Sequence, residues 1–157
     1  SQPSLKYDSE IAEVMIGREK VILLAPQTYM NESGRAVRKC FDFYQPELTD
    51  VTVLCDDMNL ELGRLRWRSK GSAGGQKGLD DIIRHLGSEE FPRLRIGIGR
   101  PPGQMNPADF VLGRFTSRER STMDQVVVAA ADSIELWISE GVESCMNRFN
   151  SQDFEGP

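Results

Sequence analysis

The sequence predicts an α/β fold, a single domain with a mixed, twisted sheet flanked by helices, and three observations carry that expectation. Apolar runs of strand length (Val21 to Ala25, Val51 to Cys55, Leu94 to Gly99) alternate along the chain with stretches of helical spacing. Apolar positions alternate on either side of Gly17-Arg18, which marks a β-hairpin, so the strands cannot all be parallel. No linker, repeat or low-complexity stretch interrupts the 157 residues, which read as one domain with enough chain to bury a core.

In the hairpin, Val14 and Ile16 precede the turn and Val21 and Leu23 follow it. Lys20 to Ala25 is a nearly continuous apolar run rich in branched residues, the pattern of a buried strand. Pro26 stops it by biasing Ala25 away from helix. Ala36, Val37, Cys40, Phe41 and Tyr44 then recur at helical spacing from a start near Ser33, and Pro46 ends that region. Thr28 to Asn31 therefore lies where a strand tip meets a helix start, the place where open α/β sheets build ligand sites. Asn31 offers an acceptor and two donors that do not titrate, which suits holding a carbonyl or a water. The plainer alternative is that Asn31 or Ser33 caps the helix.

Val51 to Cys55 reads as a second buried strand that runs straight into Asp56-Asp57-Met58-Asn59. Two carboxylates there fit a site at a strand tip, or a turn in which Asp and Asn bond the local backbone. Gly63 to Lys70 alternates strictly, with Leu65 and Trp67 on one face and Arg64, Arg66 and Arg68 on the other. Three guanidinium groups in a row can follow a phosphate backbone or keep an edge strand from pairing. The glycine-rich stretch Gly71 to Gly78 feeds a short amphipathic helix marked by Leu79, Ile82, Ile83 and Leu86 and closed by Gly87. Amide donors at such a junction favour anions, but Gly-Lys-Ser/Thr is absent and the loop is not a Walker A motif.

Leu94 to Gly99 is a further strand, ended by Pro101-Pro102 and followed by a loop from Gly103 to Pro107. Thr116 with Glu119 makes a capping box. Val126, Val127, Ala130, Ala131, Ile134, Trp137 and Ile138 give a long helix. After Gly141, Val142, Cys145, Met146 and Phe149 give a last one.

Net charge is −5, which argues against a generally basic nucleic-acid coat. The charge is unevenly spread: Gly63 to Arg100 holds nine basic and four acidic residues, +5, leaving −10 for the rest. One basic segment on an acidic body fits either a local polyanion site or a solvated face. Cys40, Cys55 and Cys145 lack metal-ligand spacing and sit in apolar surroundings, as buried reduced thiols would. No apolar run is long enough to span a bilayer, and the first residues do not resemble a signal peptide. The single histidine, His85, lies between apolar positions of the short helix with no evident carboxylate partner, and reads as a boundary residue rather than a base. No Gly-x-Ser-x-Gly elbow or Cys/His constellation is present.

Four motifs in order resemble the bacterial-type peptidyl-tRNA hydrolase family: Pro26-Gln27-Thr28-Tyr29-Met30-Asn31-Glu32-Ser33-Gly34, Asp56-Asp57-Met58-Asn59-Leu60, Gly71 to Leu79, and Phe91 to Pro101. Phe110-Val111-Leu112-Gly113 also fits, and together the motifs cover most of the chain. The resemblance implies a monomeric, cytoplasmic enzyme (organellar in a eukaryote) that cleaves the ester joining peptide to tRNA without metal or cofactor. It implies that Asn31 positions the water and the substrate carbonyl, with Tyr29 and Met30 lining the peptide and 3′-end site. It further implies that Asp56 orients a histidine base. Arg68 and Arg95 resemble the pair that grips the tRNA 5′-phosphate, and the loop at Gly74 and Gly75 would approach the substrate closely.

Two departures accompany the resemblance. The family's opening strand, its Gly-Asn-Pro-Gly turn and its Thr-Arg-His-Asn segment with the general base are not among these residues, so the chain is expected to be truncated at its N-terminus relative to the family and nearly inactive alone. The glycine-rich loop carries Gln76-Lys77 where the family has His-Asn; Lys77 can contact phosphate but supplies no acceptor. A non-catalytic RNA-binding relative, akin to chloroplast splicing factors, is the alternative: the missing histidine and Lys77 favour it, while Asn31 and Asp56 oppose it.

Overall fold

The computed structural model describes residues 2–154, and its contacts divide into two compact units. Each unit draws on two stretches of chain separated by a stretch of the other, Ser1–Val53 with Ser69–Pro92 and Leu54–Arg68 with Arg93–Pro157. The α/β class is as expected, but the strands are shared between two three-stranded sheets rather than gathered in one.

In the first unit, β1 (Ser4–Lys6), β2 (Ser9–Ile16) and β3 (Glu19–Pro26) form an antiparallel meander. The expected hairpin is present, with Val14 opposite Val21 and Ile16 opposite Glu19. Gly17 supplies the positive φ of 61° at its turn. The tighter turn from β1 to β2 puts Tyr7 and Asp8 in the left-handed region without any glycine, at φ 55° and 51°. Its partners fix it: Asp8 accepts from Lys39 Nζ at 2.7 Å and faces Arg35 Nε at 3.4 Å, both on α1 (Ser33–Tyr44). The Lys39 hydrogen bond holds the Asp8 carboxyl below its ordinary range.

The run expected to be a buried strand is β3, yet it is only half-buried. Leu24 lies opposite Ile11, which is buried, whereas Leu23 points to the other face and is 47% exposed. Helix α2 (Lys77–Leu86) packs against α1 and completes this unit.

The second unit is built on β4 (Val53–Asp57), β5 (Leu65–Arg68) and β6 (Arg93–Gly97), in the order β4-β6-β5. β4 starts two residues later than the apolar run suggested and takes Asp56 and Asp57 into the strand. β5 and β6 are antiparallel, with Leu65 opposite Ile96 and Trp67 opposite Leu94. Leu65, Trp67 and Leu94 form the core with Met123, Val126 and Ala130 of α4 (Ser117–Glu140) and Cys145 and Phe149 of α5 (Val142–Phe149). The long helix is where expected, but its buried stripe runs through Thr122, Met123, Val126, Ala129, Ala130 and Ser133, leaving Val127 57% exposed. Three valines in a row, Val126 to Val128, blur the phase of the apolar pattern.

A further short helix, α3 (Pro107–Leu112), follows the expected loop. Asn106 Oδ1 accepts from the Ala108 amide at 2.8 Å, and Pro107 sits in the first turn. Because β5 is an edge strand, its free backbone needs partners, and the chain's last described residues supply them. Asn150 Oδ1 accepts from Trp67 N at 2.7 Å and Asn150 Nδ2 donates to Trp67 O at 3.0 Å, so one side-chain amide stands in for a strand residue. Phe154 N donates to Gly63 O at 2.9 Å beyond it.

Candidate active site

The first unit carries Tyr29, Met30, Asn31, Gly74, Gly75 and Lys77. β3 ends at Pro26, and a 3-10 turn over Met30–Glu32 leads directly into α1. Neither candidate cap performs that role. The residue before α1 is Glu32, which makes no side-chain cap, and Ser33 Oγ turns back to donate to Met30 O at 2.8 Å. The Asn31 side chain is exposed and makes no hydrogen bond among the described residues, so both amide functions point to solvent. Tyr29 beside it is also exposed.

The turn rests on the N-terminal end of α2. Gly78 has no side chain, and a Cβ there would collide with the Met30 sulfur. Gln76 caps α2 by accepting from Leu79 N at 2.7 Å, and its Nε2 lies 3.7 Å from Met30 Sδ. The structure thus brings the Met30–Asn31 turn to the glycine-rich loop. Gly74 and Gly75 are exposed there with φ of 58° and 86°, backbone that a side chain would resist. Lys77 is exposed at the first position of α2, where a cation opposes the helix dipole. A residue that costs the helix stability at that point has its explanation outside the helix.

Sequence reasoning missed Asp81. Its carboxylate, 5% exposed, accepts from the Gly34 amide in the first turn of α1 at 2.8 Å. Arg84 Nη2 lies 3.3 Å from its other oxygen. His85 does have a carboxylate neighbour after all, one turn back in its own helix: its Nδ1 is 2.9 Å from Asp81 O and 3.5 Å from Asp81 Oδ2. Facing a carbonyl oxygen, Nδ1 must carry the proton, and the ring is tied to its own helix as a boundary residue.

The second unit carries Asp56, Arg68 and Arg95. Asp56 is half-buried at the end of β4, next to Cys55, whose thiol burial pushes up to about 11, leaving no thiolate nucleophile beside it. Asp57 does what the turn reading expects, accepting from Asn59 N at 2.8 Å. Its second oxygen lies 3.6 Å from Arg95 Nη1, and the two side chains are 14% and 11% exposed.

The basic face is therefore graded rather than uniform. β5 pairs Arg66 with Arg95 and Arg68 with Arg93. Arg93 is buried, Arg64 and Arg66 are half-buried, and Arg68 alone of these five is exposed. Arg64 donates to Asn150 O at 3.3 Å. Arg95 lies opposite Arg66, on the sheet face that Arg68 also takes, and its guanidinium is the one beside the Asp57 carboxylate. Among the described residues no cluster of histidine, cysteine and carboxylates could hold a metal ion, and no helix is long and apolar enough to cross a membrane.

A family model described as Peptidyl-tRNA hydrolase matches residues 1–156. A peptidyl-tRNA hydrolase of Rhodopirellula baltica is 53% identical over 151 residues, 96% of this chain and 80% of that protein. One from a Synechococcus strain is 51% identical over 135 residues, 86% of this chain and 60% of that protein. The crystal structure of peptidyl-tRNA hydrolase from Acinetobacter baumannii is similar with a TM-score of 0.88 at 33% identity, covering 97% of this chain and 79% of that one. The family match begins at residue 1 and gives no support to the expected lack of an N-terminal catalytic segment. These similarities do not favour the non-catalytic alternative either.

Proposed function

The chain belongs to the peptidyl-tRNA hydrolase family, and from that premise we propose that it hydrolyses the ester between peptide and tRNA in peptidyl-tRNA, returning the tRNA to translation. The observation that carries the site assignment is the Asn31 turn: an exposed, unpartnered amide at the end of β3, seated on the helix that the glycine-rich loop opens.

An ester carbonyl gains negative charge as water attacks it, and a fixed amide donor aimed at that oxygen stabilises the charge without titrating. Asn31 supplies that donor and positions the water through its carbonyl oxygen. Asp56 orients the general base, a histidine as the family resemblance implies. Tyr29 and Met30 flank the peptide and the 3′ end of the tRNA. Gly74 and Gly75 admit the substrate backbone, and Lys77 meets a phosphate. Arg68 grips the tRNA phosphates directly. Arg95, on the same sheet face and beside Asp57, is the second cation of that grip. The reading calls on no metal or cofactor and describes a cytoplasmic enzyme acting as a monomer.

The test is hydrolysis of an N-blocked aminoacyl-tRNA by the full-length protein and its Asn31→Ala and Asp56→Ala variants. Each substitution is expected to lower kcat by about 10²–10³-fold with KM little changed. Arg68→Ala should instead raise KM and flatten its salt dependence by about one phosphate contact. Full activity in both the Asn31 and the Asp56 variants overturns the assignment.

A further inference from the structure

We propose that Asp81 is a positioning residue for Asn31, working with Gln76 and Gly78 as a two-point clamp on the turn that presents it. Resting on the reading of Asn31 above, the inference adds a part that touches no substrate. Asn31 has no internal bond of its own to fix it, so its place is set by the residues on either side. On the N-terminal side, the Met30 sulfur lies over Gly78, beside Gln76 Nε2 at 3.7 Å. On the C-terminal side, the buried Gly34 amide donates to Asp81 Oδ2 at 2.8 Å. Both anchors belong to α2 or its cap, and Gly34 allows the approach because a Cβ there would meet the Asp81 carbonyl oxygen and His85 Nδ1. The first turn of α1 lacks a cap from its own N-cap side chain, so the Asp81 carboxylate provides it from the facing helix. Only Glu32 and Ser33 separate Asn31 from Gly34, so a shift in that cap is a shift in the amide at the reacting carbonyl.

The experiment combines steady-state kinetics on N-acetylated aminoacyl-tRNA with hydrogen exchange at the Gly34 amide. It compares Asp81→Ala, Asp81→Asn and Gln76→Ala, each alone and with Asn31→Ala. Asp81→Ala should lower kcat by about 10- to 100-fold with KM within about twofold, since a misplaced group loses rate rather than binding. The Gly34 amide should exchange about tenfold faster. Asp81→Asn keeps an oxygen acceptor and should recover most of the rate, while Gln76→Ala should cost about threefold. In the Asn31→Ala background the Asp81 and Gln76 changes should have no further effect on kcat. Equal losses in both backgrounds, or an unchanged kcat while Gly34 exchanges faster, overturn the proposal. If Asp81→Ala does not fold, Asp81→Asn and Gln76→Ala carry the same comparison. Full activity in Asn31→Ala alone would instead reject the role of Asn31, with Gly34 exchange still judging the clamp.

Discussion

The two longest helices begin in opposite ways. At the start of α4, Thr116 Oγ1 accepts from Glu119 N at 3.2 Å while Glu119 Oε1 accepts from Thr116 N at 2.9 Å, so two orphan amides are satisfied within four residues. At the start of α1, the N-cap residue Glu32 gives no side-chain cap, and the Gly34 amide is satisfied by Asp81, 47 positions along the chain. A helix capped by its own sequence has its start fixed before anything else packs. One capped from a facing helix has its start fixed only when the two meet, and it then inherits the rigidity of that contact. The second arrangement is the useful one next to a candidate catalytic amide, because the loop leading into α1 becomes part of a packed junction instead of a free end.

The most severe way to break this contrast is to force the tertiary cap apart. Gly34→Ala puts a Cβ into the Asp81 carbonyl oxygen and His85 Nδ1. Backbone cannot give way there as a side-chain tip would, so a loss of about 3 kcal/mol in urea unfolding is expected. A second long-range cap gives the next largest effect. Asn150→Ala removes the amide that pairs with both backbone groups of Trp67, leaving them unsatisfied at the edge of β5. A loss of about 2 kcal/mol is expected, together with faster exchange at the Trp67 amide.

What was legible in the sequence follows the same division. The hairpin over Gly17-Arg18, the Leu65/Trp67 alternation and the Thr116/Glu119 box are written in adjacent residues, and each is found as expected. The Asn31 turn was placed correctly between strand and helix for that reason. Asp81 was unreadable because its partner is a backbone amide, which carries no residue signature, in a distant stretch of chain. The same applies to Asn150, which bonds the backbone of Trp67 and not its side chain. The arginine row was read as one face and proved graded. Alternation specifies which side a residue takes but not what covers that side, and β6 supplies two more arginines to it, one buried and one against Asp57. The division of strands into two sheets is likewise a matter of pairing between segments, which local periodicity does not encode.

The locally capped helix gives a smaller effect: Thr116→Ala should cost about 1 kcal/mol, with no change at Asn31 or Gly34. The smallest effect lies at the far end of α1, where Tyr44 Oη donates to Glu13 Oε1 at 2.8 Å. That bond to a carboxylate raises the Tyr44 phenol to about 12, from an ordinary value of 10.0. Between those two values the folded chain keeps a proton that the unfolded chain has released. The contribution is therefore whole below the ordinary value and is lost as pH rises through the folded one. Both groups face solvent, which keeps the effect small. Comparing urea midpoints at about pH 9 and about pH 11 isolates it, because other tyrosines and lysines titrate alike in the protein and in Tyr44→Phe. The protein should lose more stability over that interval than the variant does. Equal losses would mean that the Tyr44–Glu13 bond adds nothing to the hold that the Tyr7, Phe43 and Tyr44 ring cluster and the Lys39–Asp8 pair already give that half of α1.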